Sequence, residues 1–295
     1  MLLRFAPSVS QSLCFLCPVL VPADRFGLRA FVAFVCIELM FKMLDYSRQQ
    51  RRPLAGFDPF VDYLRFLIPF PVLSVNFCQW ERRLPADHPW KPEIIRALLG
   101  AGLFATGFFL VEFASEIRAI RSCFLLDHAI KLMIFAVTIE ALSTMLYGIE
   151  RLASFETTSV IHNACLSRTV AEFWCRYNTR VHTWFDRNVF RRVGGRRAPV
   201  RGVLVTFFLS GLLHELGFGI ATSRFDGYQF AFFMLQAPAV LVSRPLHRLA
   251  TPTGIVGSVF SRFITIAWMF FTSMFFFHGV NRVFPFFYAS EPWLP

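Results

Sequence analysis

The chain has 295 residues, of which 55% are hydrophobic and 38 are Phe. This apolar content, together with a mean hydropathy of +0.51, exceeds what the core of a soluble domain removes from water. The sequence therefore predicts an all-α, multispan helical membrane protein, and we expect residues 1–295 to form a single membrane-embedded domain.

The positive charge of the chain is carried almost entirely by arginine. The formal net charge is +11, and lysine occurs only as Lys42, Lys91 and Lys131. On a membrane protein such an excess marks cytoplasmic loops more often than a nucleic-acid site. We therefore expect a lipid bilayer, and no nucleic acid, as the partner of this chain.

The cysteines do not form a recognisable framework. There are seven, at positions 14, 17, 36, 78, 123, 165 and 175, and neither the odd number nor the spacing suits a set of disulfides. Cys14 and Cys17 match C-x-x-C, but they lie in an apolar run without a second pair. We expect them to be small core residues.

The first third of the chain contains one clear span and two irregular apolar stretches. Residues 13–21 predict a short first membrane segment rather than a signal peptide, and 31–43 predict the first full span. The stretch 57–77 is interrupted by Pro69 and Pro71. A re-entrant or interfacial pair of half-helices fits it better than a simple span.

The remaining apolar runs complete an expected total of six to eight membrane segments. They cover 97–113, 132–149, 203–221, 230–242 and 259–280. The run 97–113 is rich in small residues, which let helices approach closely in lipid. Glu140 lies inside the second run, where it is either a packing partner for an arginine or a pocket residue.

The long polar stretch from 150 to 201 contains a predicted basic amphipathic helix at the membrane interface. One face carries the charged and polar side chains Glu172, Arg176, Arg180, Thr183 and Arg187. The other face carries Trp174, Asn178, Val181, His182 and Phe185. A helix that is charged on one side and aromatic on the other suits a membrane–water boundary.

His214 and Glu215 are the ionisable residues of the run 203–221, and ionisable groups at membrane depth suggest function. Ser210 shares a helix face with His214. A Ser–His hydrolase would need a sharp nucleophile turn that is not evident here. A zinc site would need a second histidine where Phe218 stands, so we expect no metal. Two roles of His214 therefore stay open, which are a lone general base and a histidine that only packs in the core.

Asn178 and the neighbouring arginines are the second group of candidate residues. An amide can orient a carbonyl or donate to a developing oxyanion. His182 lies one turn further along the same face, and both are equally compatible with ordinary interfacial polar residues. Arg176 and Arg180 predict either phosphate binding, to a lipid or a coenzyme, or a solvated basic face.

Two segments carry a resemblance to a known family. Glu172-Phe-Trp-Cys-Arg-Tyr-Asn-Thr-Arg-Val-His-Thr-Trp184, followed by Ser210-Gly-Leu-Leu-His-Glu215, resembles the membrane-bound O-acyltransferase superfamily. The similarity lies within residues 167–217 and is greatest to the wax synthase, sterol and diacylglycerol acyltransferase branches. The short chain favours the wax synthase-like branch. Tyr177 stands where those proteins commonly have Trp.

The resemblance implies an acyl-CoA donor as co-substrate, a lipid or other hydrophobic alcohol as acceptor, and no bound cofactor. It implies His214 as the catalytic base and Asn178 as the residue that positions a reactant or the oxyanion. Arg176 and Arg180 would attract the coenzyme phosphates, Trp174 would contact substrate, and Ser210 and Glu215 would orient His214. The expected location is the bacterial inner membrane or the endoplasmic reticulum.

Two other functions are compatible with the same residues. A transporter or flippase would use the intramembrane polar groups as a pathway, although no second half matches the break at 69–71. A degenerate acyltransferase kept as a scaffold is the other alternative. A short acyl donor such as acetyl-CoA with a small natural product as acceptor is also compatible with the sequence.

Overall fold

The computed structural model describes residues 16–48, 58–67, 83–250 and 254–288, and within these ranges the chain forms helices joined by irregular loops. The α-helices are α1 (Phe26–Arg48), α2 (Pro59–Leu67), α3 (Lys91–Glu116), α4 (Arg118–Arg121), α5 (Phe124–Leu152), α6 (Val170–Arg176), α7 (Thr179–Phe185), α8 (Pro199–Thr222), α9 (Tyr228–Ala250) and α10 (Gly254–Val283). A five-residue π-helix, Asp186–Phe190, extends α7. The predicted all-α class is confirmed.

Four of these helices, α3, α5, α8 and α10, are long and apolar enough to cross a membrane. They contain four of the predicted spans, and the apolar part of α9, Tyr228–Ser243, contains a fifth. The expected total of six to eight segments is not confirmed. Of the short segment predicted at 13–21, residues 16–21 are described and contain only a four-residue 3-10 helix, Cys17–Leu20. The proline-containing part of 57–77 lies outside the described residues.

Helix α1 is not among those four helices, and several of its charged side chains are turned inward. It contains the predicted 31–43 span, and Arg29, Glu38, Lys42 and Asp45 on it are all buried. A charged group in a protein interior is stable only with partners nearby. The inner face of α1 therefore belongs to the polar interior of the protein.

Close packing of α3 on α5 depends on glycine. A Cβ atom placed on Gly107 would lie 1.9 Å from Oγ1 of Thr138, and one on Gly100 would lie 2.8 Å from the carbonyl oxygen of Ala141. Neither position has room for a side chain. The expectation that the small residues of 97–113 permit close helix approach is confirmed.

The expected amphipathic helix does not form as one element. Helix α6 ends at Arg176, Tyr177 is extended, and Asn178 adopts a left-handed conformation with φ 48° before α7 begins. A left-handed residue reverses the direction of the backbone, so it cannot continue a right-handed helix. The prediction of a continuous helix over this stretch is wrong.

This break turns Arg180 into the protein instead of leaving it on a polar surface. Its side chain is 3% exposed, and its guanidinium donates to both carboxylate oxygens of Glu150, which is fully buried. It also donates to the carbonyl oxygen of Thr158 at 2.8 Å. The expectation of a solvent-facing Arg180 is wrong, because this buried ion pair fastens α7 to the end of α5.

We expect Glu150→Ala to lower the free energy of unfolding by about 3–5 kcal/mol, because it leaves a buried guanidinium without its counter-charge. Denaturation in detergent micelles measures the loss. The double variant Glu150→Leu with Arg180→Met removes both charges and should recover most of the stability. If Glu150→Ala is as stable as the unmodified protein, the ion pair does not hold the two helices together.

Candidate active site

A cavity of about 390 Å³ lies between α5, α6, α8, α9 and α10. Its wall is mainly apolar and aromatic, with contributions from Leu132, Met133, Phe135, Phe232, Phe233, Phe276 and Phe277. The polar and ionisable side chains on it are Glu140, Cys165, Ser167, Trp174, Tyr177, His214, Thr265 and Ser273. An apolar cavity with few polar groups is the usual form of a site for a hydrophobic ligand. We call it the apolar cavity.

His214 reaches the apolar cavity from the middle of α8. Its Nδ1–H donates to the carbonyl oxygen of Ser210, one turn earlier, at 2.9 Å. A carbonyl oxygen only accepts, so this bond fixes the proton on Nδ1 and leaves a lone pair on Nε2. Within the described part of the chain, no hydrogen bond involves Nε2. The ring lies 4.2 Å from the ring of Phe233, measured between centroids.

A second cavity of about 230 Å³ lies beside the first, between α1, α5 and α7. Its wall carries the ionisable side chains Glu38, Lys42, Asp45 and Arg180, together with Asn178. We call it the charged cavity. Ile139, Ile161 and Tyr177 line both cavities and form the wall that they share. The structure therefore places His214 and Asn178 on the two sides of one partition rather than in a single cavity.

Asn178 is the N-cap residue of α7. Its Oδ1 accepts a hydrogen bond from the backbone N–H of Val181 at 3.2 Å. Asn is one of the residues favoured both at helix N-caps and in the left-handed conformation. Because the capping bond occupies Oδ1, a ligand would bind to the Nδ2–H groups of Asn178.

Arg176 remains partly accessible, with a side chain that is 33% exposed. It pairs with Glu172 at 2.6 Å and donates to the carbonyl oxygen of Asn163 at 3.4 Å. His182 is exposed, and its Nε2 lies 3.6 Å from Sγ of Cys175. Neither Arg176 nor His182 lines one of the two cavities.

No hydrogen bond joins the side chains of Glu215 and His214 in the described part of the chain. Its two carboxylate oxygens accept the backbone N–H groups of Gly227 at 2.8 Å and Phe230 at 3.2 Å. These bonds hold the start of α9 against α8. Glu215 thereby fixes the position of α9, the helix that carries Phe233. Because Phe233 packs against His214, Glu215 affects His214 through packing rather than through a hydrogen bond.

Trp174 lines the apolar cavity at the end of α6. Its indole ring lies 5.6 Å from Phe233 and 5.4 Å from Phe207, measured between centroids. Phe233 therefore touches both Trp174 and His214. Trp174 therefore lies on the wall of the apolar cavity, and its contact with substrate stays a prediction.

Glu140 is a site residue that the sequence left undecided. Its Oε1 accepts the backbone N–H of Ala164 at 3.1 Å, and the side chain also lines the apolar cavity. Glu140 is therefore a pocket residue, and the hydrogen-bond partner that the structure shows is a backbone N–H rather than the arginine that the sequence suggested. An ionisable residue inside a predicted span was the signal for it.

We expect Asn178→Ala to destabilise the fold by about 1–2 kcal/mol, because it removes the cap and places a Cβ-bearing residue without a polar side chain at positive φ. Asn178→Gly keeps the left-handed backbone at no steric cost and should lose only a few tenths of a kcal/mol. Unfolding in detergent compares the two. If both variants lose the same free energy of unfolding, the left-handed backbone does not account for the contribution of Asn178 to stability.

Comparison with known proteins adds a family to this geometry. The model of the membrane-bound O-acyltransferase family matches residues 108–279. Diacylglycerol O-acyltransferase 1 of Corylus americana is 33% identical over 82 residues, which are 27% of this chain and 15% of that protein. Probable sterol O-acyltransferase 2 of Schizosaccharomyces pombe is 27% identical over 163 residues, which are 54% of this chain and 33% of that protein.

The curated relatives are aligned over a third of their length or less. The family match is broader, because it runs from the middle of α3 to the end of α10. It includes both segments that carry the resemblance, 172–184 and 210–215. The resemblance read from the sequence is confirmed at the level of the family: the chain is a multi-pass integral membrane protein that belongs to the membrane-bound O-acyltransferase family.

Proposed function

We propose that this protein transfers an acyl group from acyl-CoA to the hydroxyl group of a hydrophobic alcohol, with His214 as the general base. The observation that carries the proposal is the hydrogen bond from Nδ1 of His214 to the carbonyl of Ser210. It presents an unprotonated Nε2 in an apolar cavity, and a neutral imidazole is well matched to taking a proton from an alcohol near pH 7.

The reaction divides into two proton transfers around one acyl transfer. Nε2 of His214 removes the proton of the acceptor hydroxyl as its oxygen attacks the thioester carbonyl carbon. The tetrahedral intermediate then collapses, the carbon–sulfur bond breaks, and the ester forms. The imidazolium returns its proton to the departing thiolate, so that free coenzyme A leaves and His214 is neutral again.

The two cavities suit the two ends of the donor. The apolar cavity has the lining that an acyl chain and a hydrophobic acceptor require, and Trp174 contributes to that lining. The charged cavity, whose wall carries both cations and carboxylates, suits the amide-containing part of the coenzyme next to the thioester rather than its phosphates. A thioester that joins the two would then lie at their shared wall.

The remaining candidate residues take supporting roles. Arg176, which is partly exposed, is placed to attract phosphate groups, while Arg180 is committed to Glu150 and acts chiefly as a fixed positive centre. The free amide donors of Asn178 would orient a reactant from the charged side. Ser210 contributes its carbonyl and Glu215 the position of α9, so neither needs to touch the substrate.

The names of the relatives suggest which alcohols to test. They are diacylglycerol and sterol O-acyltransferases, whose names give a diacylglycerol and a sterol as acceptors. Our narrower proposal, from the resemblance of the chain to the wax synthase-like branch, is a long-chain alcohol that gives a wax ester. All three are hydrophobic alcohols, and each is compatible with an apolar cavity that contains a single histidine base.

We expect His214→Ala to lower the release of coenzyme A by about 10²–10⁴-fold, because a general base supplies that much. Membranes containing the protein, palmitoyl-CoA and hexadecanol would be assayed for free thiol. Ser210→Ala is the matched control and should stay within a few-fold of the unmodified protein, because the backbone carbonyl remains. A fully active His214→Ala variant would exclude His214 as the base, and an inactive Ser210→Ala would assign the role to the hydroxyl.

An acceptor series should separate the esterification from transport. We expect thiol release from palmitoyl-CoA to rise with hexadecanol, a dioleoylglycerol or a sterol, and the matching ester to appear in the lipid extract. Acetyl-CoA with the same acceptors tests a short donor, and His214→Ala membranes are the control. If no pair gives acceptor-dependent thiol release, the transporter alternative is favoured instead.

A further inference from the structure

We propose that Tyr177 is a catalytic residue, whose phenol O–H donates a hydrogen bond to the thioester carbonyl oxygen as that oxygen becomes the oxyanion. This role rests on the proposed acyl transfer and assigns the electrophilic partner of His214. It differs from the sequence-based expectation, in which Asn178 positions a reactant or the oxyanion.

The position of Tyr177 is the first reason. It is the extended residue between α6 and α7, with φ −86° and ψ 122°, and its side chain lines both the apolar and the charged cavity. The other described residues on the shared wall, Ile139 and Ile161, have apolar side chains. Tyr177 therefore supplies the polar side-chain group of that wall.

The hydroxyl group is available and the ring is fixed. Among the described residues, no hydrogen bond to the Tyr177 hydroxyl is present. The ring is stacked on Phe173, with centroids 5.3 Å apart and planes at 14°, and it meets Trp174 edge-on at 5.7 Å. A donor held in place before the reaction stabilises a developing charge without the cost of reorientation.

The protonation state also suits a donor. Burial raises the pKa of Tyr177 to about 12, and the nearby Cys165 acts in the same direction. The phenol therefore keeps its proton through the physiological range, so it can donate a hydrogen bond but is not a base or a nucleophile. The proton stays on Tyr177 throughout, while His214 carries out the proton transfers.

Other polar groups are less well placed for this role. Asn178 uses Oδ1 to cap α7 and lines only the charged cavity. Ser273 lines the apolar cavity, but its hydroxyl bonds the carbonyl oxygen of Phe270 and the ring of His128. Ser167 and Trp174 have buried polar atoms without a partner among the described residues, yet neither reaches the shared wall.

The step balances with the groups that are present. Attack by the acceptor oxygen shifts the carbonyl π electrons onto the carbonyl oxygen, and the Tyr177 O–H stabilises that negative charge. The electrons return when the carbon–sulfur bond breaks and the hydrogen bond weakens again. A donor of this kind strengthens its bond in the transition state, so it should affect turnover more than substrate binding.

Tyr177→Phe is the direct test, because it removes one oxygen and keeps the ring and its stacking on Phe173. With palmitoyl-CoA and the best acceptor, we expect kcat to fall about 10²–10³-fold, the range for loss of one oxyanion donor. The KM for each substrate should change by no more than a few-fold. Tyr147→Phe is the matched control, because Tyr147 lies on α5 and lines neither cavity, and its activity should be unchanged.

Three results would overturn the role of Tyr177. The first is a kcat of Tyr177→Phe within threefold of the unmodified protein. The second is a Tyr177→Phe variant in which only KM changes. The third is an equal fall of kcat in Tyr147→Phe. If Tyr177→Phe also unfolds more easily, Tyr177→Trp decides: it restores an N–H donor, so regained turnover supports the role and continued inactivity excludes it. An unmodified protein without acyl transfer would instead overturn the proposed function itself.

Discussion

The break between α6 and α7 is the constraint on which the rest of the site depends. The left-handed backbone at Asn178 reverses the chain, and the cap on Val181 starts a new helix in another direction. Arg180 then enters the protein and pairs with Glu150, which fastens the new helix to the end of α5. Tyr177, one residue before the turn, is thereby held in the wall between the two cavities.

A polar site inside a bundle of apolar helices needs internal partners for almost every polar group. The protein meets this requirement largely with local bonds. His214 uses the carbonyl one turn back on its own helix, so its orientation does not depend on a distant residue. Glu215 uses its carboxylate to hold the first residues of α9. Within the described ranges, neither Nε2 of His214 nor the hydroxyl of Tyr177 has a hydrogen bond, and the proposed reaction requires both groups.

The break between α6 and α7 explains why Arg180 is not on an exposed face. Helical periodicity across the whole stretch from 167 to 187 predicts that Arg176 and Arg180 share one exposed face. Periodicity holds only while the backbone stays helical, and a left-handed residue within the stretch ends that relation. The facing of Arg180 was therefore wrong, whereas Arg176, which precedes the break, does remain partly exposed.

The sequence by itself determined the helical membrane class, four of the spans, the family, and the placing of Ser210 and His214 on one helix face. Each of these depends on composition, on short sequence motifs or on spacing within one helix. Only the tertiary structure decided that His214 and Asn178 face different cavities and that Tyr177 lies between them. Those relations arise where α1, α5, α7 and α8 meet. Contacts between distant segments depend on how the helices pack, which local periodicity does not specify.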